Sequence, residues 1–281
     1  MRSEYIKYIQ ETNTEGSNKA GSYIKALDYL QDILAHSETK FRDCNIWEVS
    51  SADEVADVYK YVLEQQKLGI EGVFKFDSRP SYWKGGFYSA AIKSFLSFLV
   101  EHKFELKLMR ATQEENDGKA LAEQLESQPI ENYDALVDCD VVKKGKENLR
   151  AVKNRVNQRY FRKMVLKNYR SRCCITGLPI PAVLRASHIS PWSSDKANRL
   201  NPSNGLCFSA TYDAAFDSHL ISLDQKYRIV LSPSLDIYTA KSFIEYFRSI
   251  EGRKIDLPVK FLPDLELLEK HCDLTLNLSA N

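Results

Sequence analysis

No window of this 281-residue chain strings together the roughly 18 apolar residues that a membrane-crossing helix needs. The opening residues, MRSEYIKYIQ, hold neither a long apolar run nor a small-residue cleavage pattern. A membrane partner is therefore not expected, and a soluble, cytoplasmic protein is. Disulfide-framework spacing is missing as well. The six cysteines Cys44, Cys139, Cys173, Cys174, Cys207 and Cys272 are scattered, as reduced thiols in a reducing compartment would be. The adjacent Cys173 and Cys174 have no further Cys or His pairs at metal spacing, so no zinc is expected. Charge of one sign is also lacking: 39 Lys and Arg face 38 Asp and Glu, a net +1 that steers no partner.

What is present is ordinary material for a folded core, 43% hydrophobic and 27% charged residues. The length suits one large domain or two medium ones, and two are expected. The near-zero net charge conceals a strong local asymmetry. Residues 114–140 hold nine acids and one lysine, Lys119, whereas residues 143–172 hold twelve bases and one acid, Glu147.

Apolar residues at helical spacing (Tyr5, Ile6, Ile9; Tyr23, Ile24, Leu27, Leu30, Ile33, Leu34) predict a helical pair within residues 4–38, broken by a polar stretch over 13–22. Residues 45–49 read as a short strand or an extended connection. Ser51 is placed to cap a helix with Asp53 and Glu54 in its first turn. Residues 69–86, with Pro80, Gly85 and Gly86, read as a loop, and a densely apolar helix follows, ending near residue 105. The loop interleaves Lys75, Arg79 and Lys84 with Tyr82 and Trp83, a pattern suited to nucleic acid, to a protein partner or to packing alone. Residues 111–142 are acidic, contain Gly118 and Pro129, and read as a solvated linker or short surface helix. Residues 147–170 then predict a helix with an apolar stripe at Leu149, Val152, Val156, Tyr160 and Met164. Its other faces carry Arg150, Lys153, Arg155, Arg159, Arg162, Lys163, Lys167 and Arg170, which can neutralise a phosphate backbone, an anionic lipid surface or an acidic protein.

Chemistry concentrates in residues 186–223. An apolar run holds His188, an Asn204-Gly205 turn signal enters a strand-like run, and Asp213 and Asp217 follow in a segment that can be helical. Residues four apart on a helix share a face and can reach one ion. Taken singly, His188 suits a hydrogen-bonded core position, Asn204 a turn and Asp217 a cap. Together they supply what phosphodiester hydrolysis asks for: a base titrating near neutrality, and a carboxylate-held cation to offset charge on the phosphate. Two carboxylates form a hard oxygen site that favours a single Mg²⁺ or Mn²⁺.

The pieces RYFRKMVLKNYRSRCCITG (159–177), ASHISPW (186–192), NPSNGLCFSA (201–210) and AAFDSHLISLD (214–224), with a tail IDLPVKFLPDLELLEKH (255–271), resemble the HNH endonuclease family in its restriction-type subgroup. The resemblance implies a ββα-metal fold gripping one divalent ion. It implies His188 as general base, Asn204 as the residue orienting it, and Asp213 and Asp217 as metal ligands. Many relatives carry an acid or histidine at the position of Ser187, a further ligand position, and a histidine where Asp213 stands. The N-terminal third resembles, loosely, the helical modules placed ahead of nuclease domains in restriction-type proteins.

The expected class is thus α+β: a helical module over 1–110 for DNA or target recognition, an acidic linker over 111–142, and a ββα-metal nuclease domain over 143–281. The expected function is a restriction or phage-defence DNA endonuclease acting on double-stranded DNA, with a homodimer as a possibility. Arg155, Arg159, Arg162, Lys163, Lys167, Arg170 and Arg185 are its expected nucleic-acid contacts. Two alternatives stay open, a catalytically impaired DNA-binding protein of the same fold and a nonspecific nuclease toxin.

Overall fold

The structure, a computed structural model, describes residues 1–12, 18–142 and 145–277. Part of the expected break over 13–22 falls outside them, as do Lys143 and Lys144 of the basic block. Among the described residues eight α-helices come first: α1 (Arg2–Thr12), α2 (Lys19–Ala35), α3 (Ala52–Leu68), α4 (Pro80–Lys84), α5 (Phe87–Glu114), α6 (Gly118–Glu126), α7 (Tyr133–Asp138) and α8 (Lys146–Asn168). The strands β1 (Leu184–His188) and β2 (Gly205–Ser209) lead into α9 (Ala210–Asp217). A second hairpin, β3 (Ile221–Leu223) and β4 (Ile229–Leu231), precedes α10 (Lys241–Tyr246) and α11 (Leu265–Leu276). This mixture of helices and small sheets is the expected α+β class. Among the described residues no helix is long and apolar enough to cross a membrane.

Local chemistry accounts for most of the element ends. The Ser51 hydroxyl accepts the Glu54 amide at 3.4 Å and starts α3, and the Asp117 carboxylate accepts the Ala120 amide at 2.8 Å and starts α6. The turn between β3 and β4 has no glycine. Asp224 supplies what a glycine turn would not need, accepting the Lys226 and Arg228 amides at 2.8 Å each, while Tyr227 takes the left-handed conformation. Residues 45–49 form turns, with the Glu48 amide on the Asn45 carbonyl, in place of the strand or extended connection expected there. The expected loop over 69–86 is wound into short helical turns and α4, and α5 continues to Glu114.

The chain forms two compact units, residues 1–105 with 129–154, and residues 106–128 with 155–281. The regular structure of the first is all helical among its described residues, with a core of Tyr5, Leu27, Leu30, Val58, Phe95, Leu96 and Phe98, which Ala135, Leu136 and Cys139 join. Arg79, one of the bases of the loop cluster, turns inward there: its Nε lies 2.7 Å from Asp77 and its guanidinium 3.9 Å above the Tyr29 ring. These boundaries differ from a module over 1–110, a linker over 111–142 and a domain from 143. The acidic stretch folds: α6 buries Leu121, Ala122 and Leu125, and α7 buries Ala135 and Leu136. Its acids describe only the outward faces of these helices, and the sparse apolar residues suffice for the inward ones.

In the second unit β1 and β2 are antiparallel, with Leu184 opposite Ser209 and His188 opposite Gly205. Helix α9 packs on both strands and α11 on β3. The expected apolar stripe of α8 is inside at Val152, Val156, Tyr160 and Met164, while Leu149 remains 37% exposed.

Candidate active site

Gly205 explains how closely β2 approaches α8. Its φ of −117° is open to any residue, so the Asn204-Gly205 pair is not the glycine-requiring turn its sequence suggests. A Cβ here would lie 2.5 Å from Val165 Cγ2 and 3.1 Å from Phe161 Cζ. Glycine is required by packing, and that packing puts Phe161 beneath His188.

Asn204 ends a short helical turn over residues 202–204 and is fully buried. Its Oδ1 accepts the Ser190 amide at 2.7 Å, and its Nδ2 donates to the carbonyls of Ser190 at 3.1 Å and Asn198 at 2.9 Å. The Ile189 amide donates to the Asn204 carbonyl at 2.9 Å. One side-chain amide thus closes the loop between β1 and β2. Asn198 and Asn201 extend the network, Asn201 Nδ2 donating to Asn198 Oδ1 at 2.8 Å and Asn198 Nδ2 to Asp195 Oδ2 at 2.8 Å. The density of Asn, Asp and Ser in residues 193–204 is the sequence signal for this network.

That loop delivers the Arg199 carbonyl to 3.1 Å from His188 Nε2. A carbonyl only accepts, so Nε2 carries the proton and Nδ1 the lone pair. The ring lies flat on Phe161, with centroids 3.7 Å apart and planes 12° from parallel, and meets the edge of Trp192 at 5.4 Å. Burial pushes the imidazole down to about 4, and the Arg199 carbonyl opposes that shift. His188 is therefore neutral at pH 7, with a defined tautomer. Trp192, expected in the core, is half-buried at this pocket, its carbonyl accepting Arg199 Nε at 2.6 Å. Phe208 and Phe216 are buried as expected.

His188, Asp213 and Asp217 line one pocket of about 540 Å³. Ser187 is buried and its hydroxyl donates to Asp213 Oδ1, so it braces that carboxylate. The Asp217 carboxyl is raised by partial burial first and by the charge of Asp213 second. Among the described residues neither aspartate is ion-paired with a lysine or arginine. Two crowded carboxylates with no ion-pair partner among the described residues suit a hard divalent cation. Among the described residues no three His, Cys, Asp or Glu side chains are gathered as a metal ligand set.

The expected phosphate contacts separate into two groups. Arg162 and Arg185 line the pocket. Arg162 is held by the carbonyls of Leu184 at 2.9 Å and Pro181 at 3.1 Å, and Arg185 by those of Leu184 at 3.0 Å and Ala182 at 3.2 Å. Arg155, Arg159, Lys163, Lys167 and Arg170 are not part of its lining. Lys167 borders a different pocket with Met109 and Phe261, and Arg170 lies past the end of α8 in a left-handed conformation. The pocket also holds His219 and His271. His219 lies two residues after Asp217, near enough in sequence to enter the ligand set on a one-residue shift; His271 closes the family-like tail over 255–271, which attached no chemistry to it.

Compared with known families, residues 173–224 match the family described as HNH endonuclease. The match spans β1, β2, α9 and β3. No curated protein matches the chain.

Proposed function

Taking residues 173–224 as an HNH endonuclease domain, we propose that the protein is a metal-dependent DNA endonuclease of restriction or phage-defence type. The observation that supports this best is His188: its Nε2 is tied to the Arg199 carbonyl, and the ring opens on the pocket that holds Asp213 and Asp217. Nδ1 has no partner among the described residues and carries the lone pair, so it is the atom to take a proton from the attacking water. As the ring becomes imidazolium, the Arg199 carbonyl strengthens its bond to Nε2–H. Asn204 works through that loop and is a positioning residue. A cation on Asp213 and Asp217, Mg²⁺ or Mn²⁺ by the hardness of the donors, would supply positive charge for the scissile phosphate and the departing 3′ oxygen. Arg162 and Arg185 flank the pocket as phosphate contacts, and the remaining bases of α8 as contacts farther along double-stranded DNA.

The helical unit is proposed as the reader of the DNA target, and a homodimer as the means of cutting both strands. A cytoplasmic location accords with six free thiols. The function is tested by incubating plasmid DNA with the protein and Mg²⁺ or Mn²⁺, using EDTA and His188→Ala as controls. Metal-dependent nicking that His188→Ala abolishes supports it. Intact plasmid under every metal points to a DNA-binding protein of the same fold, and equal cutting by the variant removes His188 from the mechanism.

A further inference from the structure

His271 lies outside the matched stretch, on α11, and the chemistry above gives it no part. It is 5% exposed, lines the same pocket as His188, Asp213 and Asp217, and has both ring nitrogens engaged. Nε2 is 3.2 Å from the Phe216 carbonyl oxygen and Nδ1 is 2.9 Å from Ser222 Oγ. The carbonyl can only accept, so Nε2–H donates to it, and the Ser222 hydroxyl must then donate to Nδ1. The ring lies flat on Phe216, with centroids 3.8 Å apart and planes 6° from parallel. It also stands 4.5 Å from the His219 ring.

These partners all belong to one short stretch. Phe216 immediately precedes Asp217, the last residue of α9, and its carbonyl also accepts the His219 amide at 2.9 Å. His219 adopts φ +53°, a left-handed conformation that a side chain other than glycine disfavours. Its Nδ1 is buried with no hydrogen-bond partner among the described residues, so none of them holds the ring through that nitrogen. The ring instead packs beside that of His271, tilted 43° to it. A single side chain from the C-terminal helix therefore grips the carbonyl before Asp217, the ring before Asp217 and the imidazole after it.

We infer that His271 is a positioning residue for the nuclease site, fixing the C-terminal end of α9 so that Asp217 and the His219 ring face the pocket. The inference rests on reading that pocket as the nuclease centre. An apolar side chain of similar size would fill the space without bonding the Phe216 carbonyl, so packing and positioning are separable. In the full-length protein, His271→Leu is expected to lower kcat for plasmid nicking with Mn²⁺ by about tenfold or more, because small displacements of a catalytic group carry large rate penalties. KM for DNA should stay within about threefold, since no residue that touches DNA has moved. His271→Gln, whose amide can donate to Phe216 and accept from Ser222, should recover most of the rate. A second readout does not depend on cleavage: the His219 ring Hε1 resonance, shifted by the neighbouring His271 ring, should move in His271→Leu. Wild-type kcat in His271→Leu overturns the inference, as does an equal loss in His271→Gln or a loss that disappears when the assay is cooled below the variant's melting range. If the wild type cuts no DNA under any metal, the proposed function fails by itself. The His219 resonance then decides the positioning, and an unmoved resonance in His271→Leu refutes it.

Discussion

His188 and His271 occupy matching surroundings in two places of the same unit. Each imidazole lies flat on a phenylalanine, His188 on Phe161 at 3.7 Å and His271 on Phe216 at 3.8 Å. Each sets Nε2 against a main-chain carbonyl, and burial pushes each down to about 4. They differ in the remaining nitrogen: Ser222 occupies that of His271, and among the described residues no group occupies that of His188. Burial and stacking thus make both rings neutral and rigid, and the uncommitted nitrogen decides which of them can do acid–base work. A depressed pKa alone would not tell the two apart.

The comparison breaks most sharply at His188. His188→Ala should lower cleavage by about 10² to 10⁴, the usual reach of general acid–base catalysis, with DNA affinity in a gel-shift assay unchanged. Next come the acids. Asp217→Asn and Asp213→Asn should each cut the rate and remove the rise in melting temperature that Mn²⁺ gives the wild type, since an ion stabilises only the state that binds it. A full Mn²⁺ response in both variants would place the ion elsewhere. Gly205→Ala tests the floor beneath His188. The added Cβ would lie 2.5 Å from Val165 Cγ2, so α8 or β2 must yield, at about 1–3 kcal/mol. Phe161 moves with them, and the rate should drop while the two acids keep their Mn²⁺ response.

How much of this was legible in the sequence depends on the range of the signal. Asn204, Asp213 and Asp217 sit near His188 along the chain, in a stretch whose spacing is set by one hairpin and one helix, and the structure brings the histidine and both acids to one pocket. The period of α8 was legible because Val152, Val156, Tyr160 and Met164 recur at helical spacing whatever they pack against. Gly205 was legible as a glycine but not for its reason, which is the approach of another helix. The acidic residues between α5 and α8 were misleading, because Leu121 and Leu125 decide that α6 folds and the charges merely solvate its other side. His271 was opaque: its partners, Ser222 and Phe216, belong to other elements, and only tertiary packing makes them neighbours.

The smallest expected effect concerns stability against pH, and it tests whether the two histidines are alike in the respect claimed. Both have folded-state values near 4, below the ordinary 6.5 of an exposed imidazole. Above about pH 6.5 neither state binds a proton at these rings, and their contribution is fully present. As the pH falls from there toward 4, the unfolded chain takes up protons that the native rings refuse, so stability is lost through that window. Each ring adds at most about 1.4 kcal/mol per pH unit, and His188, partly open to the pocket, should add less than that ceiling. Asp224, whose carboxyl is held low by the Arg228 and Lys226 amides against the opposing effect of burial, loses its contribution only below the ordinary carboxylate range, which separates the two windows. Melting curves between pH 7.5 and 4.5 should therefore fall less steeply for His271→Gln than for the wild type, and the same should hold for His188→Gln. Parallel curves for wild type and variants would mean that the rings are not held neutral by burial, and the likeness between them would lose its physical basis.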